Sequence, residues 1–343
     1  MKRLLNTLYV LTPENSLCLD NENVVVKRGN QDLANIPLHT IESIYSFTYK
    51  GATPALMGAC AERGINLVFY SPHGRFLARI NGKERGNVFL RMEQFRISND
   101  RDLSCKYGKN FILGKIFNEK WVLERVKRDH PDRVPVETLK ESSEFLSDSL
   151  KKIKECESLD SLQGIEGKAA QTYFDSFDYF ILQQKEYFSF KNRSRRPPLD
   201  RVNAILSFTY SILTRDCEAA LEGCGLDPYM GFVHRIRPGR SSLALDLVEE
   251  LRASYADRFV VYCINQRVIN EDDFTIQESG AVILNDDGRK KFFSEWQKRK
   301  QETLTHPFLK EKVNWGLVPY IQAMLLARTI RGDLDAYPPF FWK

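Results

Sequence analysis

The spacing of apolar residues changes near residue 100, and this change constrains the fold more than any other feature of the sequence. Before it, short apolar runs recur roughly every 8–12 positions between Gly, Pro, Asn and Asp residues, which is typical of strands. After it, apolar residues recur at three- and four-residue spacings, which is typical of amphipathic helices. We therefore expect an α+β protein of two domains, with a small β-sandwich-like domain at 1–97 and a larger all-α domain at 98–343.

Two hairpins are predicted in the N-terminal part. In the first, at 17–26, apolar residues flank the turn 20–23, whose Asn and Asp side chains tolerate a tight turn. In the second, at 65–80, the turn is 71–74, and a short helix is predicted before it at 53–63. We expect the strands of this part to pair antiparallel.

The C-terminal part is predicted to be built from long helices, with a small hairpin at 274–284. Asp200 is expected to cap one of them or to lie in its first turn. The sequence leaves open whether the C-terminal YPPFFWK packs on its own chain or faces a partner. The predicted helices span 111–127, 136–156, 167–187, 200–222, 286–305 and 313–330.

Composition and charge describe a globular chain. Hydrophobic residues make up 43% of it, which is too many for a disordered protein. Fifty Lys and Arg residues against 45 Asp and Glu give a net charge of +5, which permits nucleic-acid partners without requiring them. No apolar run approaches the roughly 18–20 residues that cross a membrane. Seven scattered cysteines without a C-x-x-C pair predict reduced thiols in a cytoplasmic protein and no structural zinc.

The segment 231–252 places His234 just before a predicted helix that starts at Ser241 or Ser242. On a helical wheel its three carboxylates fall within about 100° of one another, opposite the apolar stripe. These carboxylates belong to Asp246, Glu249 and Glu250. The pattern alone favours a solvated acidic face, and a group of ligands beside the histidine is the alternative.

Glu166 lies between Gly164 and Gly167 at the start of a predicted helix. Because glycine has no side chain, these two residues leave space for another group to approach the backbone. The simpler interpretation is a first-turn acid that interacts with the helix dipole.

If Glu166, His234 and Glu249 meet, they form a mixed oxygen and nitrogen ligand set with positions left for water or phosphate. Such a set suits Mn²⁺ or Mg²⁺ rather than structural zinc. The ion would lower the pKa of a hydroxyl or water nucleophile and neutralise charge on a phosphodiester. Spacing along the sequence leaves open whether the three residues meet.

Basic segments alternate with the acidic ones. The segment 191–201 contains Lys191, Arg193, Arg195, Arg196 and Arg201, and 235–240 contains Arg235, Arg237 and Arg240. Arginine binds phosphate oxygens in a bidentate fork, so arginines beside a metal site suit a polyanionic substrate.

The chain contains, in this order, the runs GIEGKAAQTYF, KNRSRRPPLDRVNAILSFTYSIL and GLDPYMGFVHRIRPGRSSLALDLVEELR. They resemble the core motifs of the CRISPR-associated adaptation endonuclease family, the integrases that capture new spacers. The resemblance covers nearly the whole chain and implies the same division into a β-rich and a helical domain. The opening run LLNTLYVLTPENSLCLDNENVVV is similar to the branch found with type I-C systems.

The resemblance also implies roles for particular residues. By match, the catalytic metal ligands fall on Glu166, His234 and Glu249. Asp246 either joins them or supports them from outside. The residues that match positions near DNA are Arg196, Asn203, Arg237 and Arg240.

The function that the resemblance implies is a metal-dependent DNA endonuclease and integrase. A homodimer assisted by a small ferredoxin-like partner protein would insert captured duplexes into a CRISPR repeat by attack of a free 3′-hydroxyl. We expect the β-rich domain to form the dimer, because short strands offer edges for pairing. One alternative is a stand-alone metal-dependent nuclease of branched or single-stranded DNA. Another is a non-catalytic DNA-binding scaffold, which the presence of all three ligand matches argues against.

Overall fold

The computed structural model describes residues 6–71, 76–80, 82 and 88–343. Its strands are β1 (Asn6–Val10), β2 (Ser16–Asp20), β3 (Asn23–Arg28), β4 (Gln31–Pro37), β5 (Ile41–Ser46), β6 (Asn66–Tyr70), β7 (Phe76–Ile80), β8 (Phe274–Ile276), β9 (Val282–Leu284), β10 (Thr303–Thr305) and β11 (Lys312–Asn314). Its α-helices are α1 (Pro54–Arg63), α2 (Val88–Asn99), α3 (Arg101–Asp129), α4 (Val136–Glu155), α5 (Leu159–Asp175), α6 (Arg201–Gly223), α7 (Ser242–Leu251), α8 (Arg258–Asn265), α9 (Asp286–Gln301) and α10 (Val318–Ile330). The α+β class, strand-rich first and helical afterwards, is as predicted.

The N-terminal part contains two sheets that share a core with α1. Strands β2, β3 and β4 form an antiparallel sheet, and Asn21 in the first turn has a positive φ of 50°, which Asn tolerates. The other sheet has the order β1-β5-β6-β7. The expectation of antiparallel pairing is wrong for two of its pairs, because β5 runs parallel to both β1 and β6. The helix α1 provides the crossover from β5 to β6 that a parallel pair requires.

Both predicted hairpins are present, and so is the short helix before the second. β6 pairs antiparallel with β7, while Pro72, His73, Gly74 and Arg75 of the predicted hairpin lie outside the described residues. The helix α1 begins at Pro54 after the N-cap Thr53 and ends at Arg63, before the C-cap Gly64, whose φ of +67° favours glycine.

The helical part differs from the predicted helices in several places. Helix α3 begins at Arg101 rather than at 111, and α2 and α8 were not predicted. Helix α5 begins before residue 167 because Ser158 caps it, and it ends at Asp175. Helix α9 ends at Gln301, and the residues after it pair as β10 and β11. Helix α10 begins at Val318 rather than at 313. Asp200 caps α6 as predicted, by accepting a hydrogen bond of 2.7 Å from the Asn203 N–H.

The two parts pack through buried polar and aromatic contacts. The Tyr45 hydroxyl donates to Asp216 at 2.7 Å, and the ring of Tyr9 stacks on Phe293 with centroids 4.1 Å apart. The predicted boundary at 97 and 98 falls within α2, and the division into two domains stays a prediction.

All seven cysteines are free thiols. Among the described residues, no helix is both long and apolar enough to cross a membrane.

Candidate metal centre

Helices α3, α5 and α7 bring the predicted site residues together, and α3 packs unusually close to its neighbours. A Cβ on Gly114 of α3 would lie 2.8 Å from Cβ of Glu250 on α7. A Cβ on Gly108 would lie 2.7 Å from Val233, in the loop before His234. Because real Cβ contacts are longer than this, these approaches depend on glycine.

Glu166 lies in the middle of α5, not at a helix start, so the interpretation as a first-turn acid is wrong. A Cβ on Gly164 or Gly167 would meet no atom within 4 Å, so the helix is open beside this carboxylate. Glu166 is half-buried, and it forms an ion pair with the Lys115 ammonium of α3.

The acidic residues of α7 are buried, so the interpretation as a solvated face is wrong. Asp246 and Glu250 are 0% exposed and Glu249 is 4% exposed. Carboxylates buried to this degree require partners. Each of the three carboxylates has a different set of partners.

Asp246 fixes the position of His234. Its carboxylate accepts hydrogen bonds from the backbone N–H groups of Phe232 at 2.6 Å, Val233 at 3.0 Å and His234 at 3.0 Å. Its Oδ1 also lies 2.7 Å from His234 Nδ1. Because an ionised carboxylate can only accept hydrogen bonds, Nδ1 is the donor, and in the neutral imidazole Nε2 then keeps its lone pair. That Nε2 lies 3.7 Å from Glu249 Oε1.

Glu249 lies at the centre of the charged group. Its Oε2 is 2.8 Å from Lys115 Nζ, and its Oε1 is 3.0 Å from Arg252 Nη2. Lys115 therefore joins Glu249 of α7 to Glu166 of α5. The predicted residues Glu166, His234 and Glu249 are thus brought to one place, with a lysine ammonium between the two carboxylates.

Neighbouring charges decide the protonation of this group. Burial opposes ionisation of Glu249, but the neighbouring cations Arg252 and Lys115 outweigh it, and the pKa falls to about 2. Burial likewise disfavours the Lys115 cation, yet Glu249, Glu166 and Glu119 raise its pKa. For Glu119, burial dominates and raises the pKa to about 8. The ligand candidate Glu249 is therefore held as an anion at neutral pH.

The chemistry of these donors fits a divalent cation. Two carboxylates and an imidazole nitrogen with a free lone pair are hard and borderline ligands of the kind that Mn²⁺ and Mg²⁺ accept. Among residues 6–71, 76–80, 82 and 88–343, no three His, Cys, Asp or Glu side chains stand close enough to hold a metal ion as they are arranged. Lys115 supplies the positive charge at the position where the carboxylates of Glu166 and Glu249 approach each other.

Glu250 points to the other side of α7 and holds the C-terminal segment. It accepts hydrogen bonds from the Tyr337 hydroxyl, from the Phe340 N–H at 2.7 Å and from Gln322 Nε2 at 3.1 Å. Asn118 of α3 donates to the Phe340 carbonyl at 2.8 Å. The run YPPFFWK therefore packs on its own chain, although Phe341 stays 37% exposed.

Asn203 does not fit a direct contact with DNA, because its side chain is 0% exposed. Its Oδ1 accepts from Arg193 at 2.6 Å and from the Ser194 N–H at 3.1 Å, and its Nδ2 donates to Asn192 and Asp200. We assign it to positioning the basic segment. Arg193 and Arg252 lie over the ring of Tyr210, 5.4 and 5.0 Å from its centroid, so this segment adjoins the charged group.

The other predicted DNA contacts lie at the surface. Arg196 and Arg237 are exposed and Arg240 is half-buried. Within the described part of the chain, none of the three forms an ion pair. Their charges are therefore available to phosphate.

Sequence reasoning missed Lys115, Glu119 and Arg252. Lys115 and Glu119 are 3% and 2% exposed, at positions on the buried stripe of α3 that mostly apolar residues occupy. The signal that could have identified Lys115 and Glu119 is a Lys and a Glu four residues apart within a mostly apolar stripe. Arg252 follows Glu249 by one helical turn.

Comparison with known proteins places the chain in a family. The family model described as CRISPR associated protein Cas1 matches residues 8–298. The chain is 44% identical over 343 residues to CRISPR-associated endonuclease Cas1 1 of Chlorobaculum tepidum, with 100% of both chains covered. It is 46% identical over 347 residues to CRISPR-associated endonuclease Cas1 2 of Rhodospirillum rubrum, again with 100% of both covered.

Solved structures share the fold. A casposase bound to its integration product has a TM-score of 0.83 at 22% identity, covering 98% of this chain and 93% of that one. A Cas1 protein from Thermotoga maritima has a TM-score of 0.81 at 21% identity, covering 99% and 100%. A complex of Cas6-RT-Cas1 with Cas2 has a TM-score of 0.81 at 22% identity, covering 100% of this chain and 36% of that one. The chain belongs to the Cas1 family, the endonucleases and integrases of CRISPR adaptation.

Proposed function

We propose that this chain joins captured DNA to a CRISPR repeat at the site formed by Glu166, His234 and Glu249. The 3′-oxygen of the captured strand attacks a repeat phosphodiester, the new P–O bond replaces the old one, and the displaced 3′-oxygen of the repeat takes up the proton. Phosphodiester bonds are conserved in number, so the step needs no ATP. The observation that carries this proposal is that one ammonium, Lys115, pairs with carboxylates from two helices, beside a histidine held with Nε2 free.

The residues that would hold the metal are Glu166, His234 and Glu249, and the metal would be Mn²⁺ or Mg²⁺. Cas1 endonucleases generally depend on a divalent metal. When bound, the ion lowers the pKa of the attacking hydroxyl and offsets the negative charge that develops on the phosphate. Asp246 keeps His234 Nε2 free to act as a ligand, because its carboxylate accepts a hydrogen bond from Nδ1–H and so holds the ring proton on Nδ1. Arg252 adds a fixed positive charge next to Glu249.

DNA would lie across the exposed basic segments. Arg196, Arg237 and Arg240 would bind backbone phosphates, and Asn203 would hold the first segment in place through Arg193. These contacts would fix the position of the duplex without reading its sequence. Binding would therefore weaken steeply as salt rises.

The assembly that we propose is a homodimer with a small ferredoxin-like Cas partner. Among the structural neighbours, the casposase is bound to an integration product and the Cas6-RT-Cas1 protein is in complex with Cas2. The β-rich part would form the dimer, since β4 is an edge strand with Leu33 43% exposed. The opening run of the sequence supports placement in the type I-C branch.

The experiment is a strand-transfer assay with the purified chain, its Cas partner, a duplex with free 3′-hydroxyls and a supercoiled plasmid that carries the repeat. It is run with Mn²⁺, with Mg²⁺ and with chelator. Glu166→Gln is the test variant, and Glu157→Gln, an exposed glutamate just before α5, is the matched control.

We expect joined product that requires both the metal and Glu166, with the control variant as active as the wild type. Metal-dependent cleavage without joining would instead support the stand-alone nuclease. DNA binding with neither reaction would support the scaffold.

A further inference from the structure

Lys115 is the most deeply buried cation of the candidate metal centre, at 3% exposed. Its ammonium forms ion pairs with Glu166 and with Glu249, which lie on different helices. A buried ammonium is tolerated only when it is paired. Lys115 is in turn what allows these two carboxylates to stand close together, because like charges at this separation otherwise repel.

A divalent cation at the same carboxylates would carry the same sign of charge as Lys115. The ammonium and the ion would each be stabilised by Glu166 and Glu249, and each would destabilise the other. The two cations therefore compete for one pair of anions. Movement of the ammonium away from at least one of these carboxylates would relieve this repulsion when the ion binds.

Glu119 is a second acceptor within reach of Lys115. It lies one turn further along α3, and side chains four residues apart on a helix are neighbours. It is 2% exposed, and its Oε2 has no hydrogen-bond partner among the described residues. A buried oxygen of this kind is costly until a donor reaches it. The lysine stem is flexible enough to move the ammonium between the two positions.

We propose that Lys115 is an internal counter-cation that competes with the divalent metal for Glu166 and Glu249, and that Glu119 accepts its ammonium when the metal is bound. Lys115 thereby keeps the metal-free centre folded and sets the metal affinity. The inference rests on the proposed function, since it requires a metal at these carboxylates.

The test is calorimetric titration of the full-length chain with MnCl₂, without DNA. Lys115→Met removes the charge and keeps an unbranched apolar side chain. Lys106→Met, at an exposed position of the same helix, is the matched control. We expect Lys115→Met to bind Mn²⁺ about tenfold more tightly than the wild type, and Lys106→Met to bind as the wild type does.

Thermal unfolding gives a second readout that does not depend on activity. In chelator, Lys115→Met should melt below the wild type because Glu166 and Glu249 then repel each other. Saturating Mn²⁺ should raise its melting temperature by more than it raises that of the wild type.

Glu119→Gln tests the second acceptor and does not require Lys115→Met to fold. In the wild-type background it should weaken Mn²⁺ binding several-fold, since the displaced ammonium loses an acceptor that can ionise to pair with it. In the Lys115→Met background it should have no effect, and this difference is the coupling that a double-mutant cycle measures.

Two results would overturn the inference while leaving the proposed function in place. One is a wild type that binds Mn²⁺ through Glu166 together with a Lys115→Met variant that binds it equally or more weakly. The other is a Glu119→Gln effect that is the same in both backgrounds. If instead the wild type takes up no Mn²⁺, and Glu166→Gln changes nothing, the metal centre itself is wrong.

Discussion

Glu249 and Glu250 are consecutive, equally buried residues of α7, yet their surroundings drive their ionisation in opposite directions. Glu249 faces the cations Arg252 and Lys115, which lower its pKa to about 2 against the effect of burial. Glu250 faces neutral donors from the C-terminal segment. Burial there dominates and raises the pKa to about 7, even though hydrogen bonds from Tyr337, Phe340 and Gln322 oppose the rise.

The difference shows that counter-charge, rather than depth of burial, decides which buried carboxylate can serve as a metal ligand. A ligand must be an anion before the metal arrives, and Glu249 is held as one. Glu250 instead joins structural elements, since its partners come from the end of the chain and from α10. Helix α7 therefore carries two faces side by side. We call the side of Glu249, which lies beside His234, the chemical face, and the side of Glu250, which binds the C-terminal segment, the structural face.

Replacing each glutamate by glutamine should separate these faces most clearly. Glu249→Gln removes a metal ligand and should lower strand transfer by at least about a hundredfold. Glu250→Gln keeps an acceptor oxygen for the C-terminal segment and should stay within about tenfold of the wild type. The measurement is the rate of joined product at saturating Mn²⁺. Equal losses in the two variants would show that the faces are not distinct.

Stability should show the structural role of Glu250. Glu250→Ala leaves the Tyr337 hydroxyl and the Phe340 N–H without their acceptor inside the protein. We expect the free energy of unfolding to fall by about 3 kcal/mol, measured by urea denaturation. Glu155→Ala, at an exposed position, is the control and should change it by less than about 0.5 kcal/mol. A Glu250→Ala variant as stable as that control would contradict this role.

Asp246 combines features of both glutamates. It is fully buried like Glu250, but it acts on the chemical face because it orients His234. Asp246→Asn loses the negative charge that orients the imidazole and should weaken Mn²⁺ binding by about 10–100-fold. Calorimetric titration of the variant beside the wild type measures this loss. Complete loss of binding would make Asp246 a ligand itself.

The chemical face was partly predictable from the sequence, and the structural face was not. His234, Asp246 and Glu249 lie close together along the chain, so a helical wheel and a family motif were enough to nominate them. Lys115 could not be paired with Glu166 from sequence, since their contact depends on how closely α3 packs on its neighbours. That approach is set by Gly108 and Gly114, whose role becomes visible only from the atoms that a Cβ would meet.

Prediction of the fold has the same limit, because contacts between distant parts of the chain cannot be read from local patterns. The periodicity predicted the strand-rich and helical parts, because it reports which face of each element is buried. It could not predict that β5 pairs parallel to both β1 and β6, since pairing direction depends on the route of the chain through α1. The start of α5 was missed because Ser158, its cap, lies before the apolar pattern that was used to find it.

His306 extends the neutral network of Glu250 and offers a test of it by pH. Its Nε2 lies 3.2 Å from Gln322 Oε1, while its Nδ1 accepts backbone N–H groups from Phe308 and Leu309, both at 3.3 Å. A ring nitrogen that accepts from N–H groups cannot carry a proton, and burial accordingly lowers the pKa of His306 to about 4. Burial thus keeps His306 uncharged at one end of Gln322, while Glu250 at the other end has a pKa of about 7.

The pH dependence follows from this lowered pKa. Between about pH 6.5 and pH 4 the unfolded chain binds a proton at residue 306 and the folded chain does not, so acidification favours unfolding. His306→Gln cannot titrate, and the other ionisable groups are common to both proteins. We expect the wild type to lose about 1–2 kcal/mol more than this variant between pH 7.5 and pH 5, measured by urea denaturation. Parallel profiles would mean that His306 accepts its proton in the folded chain as readily as in the unfolded one, and the neutral network would then end at Gln322.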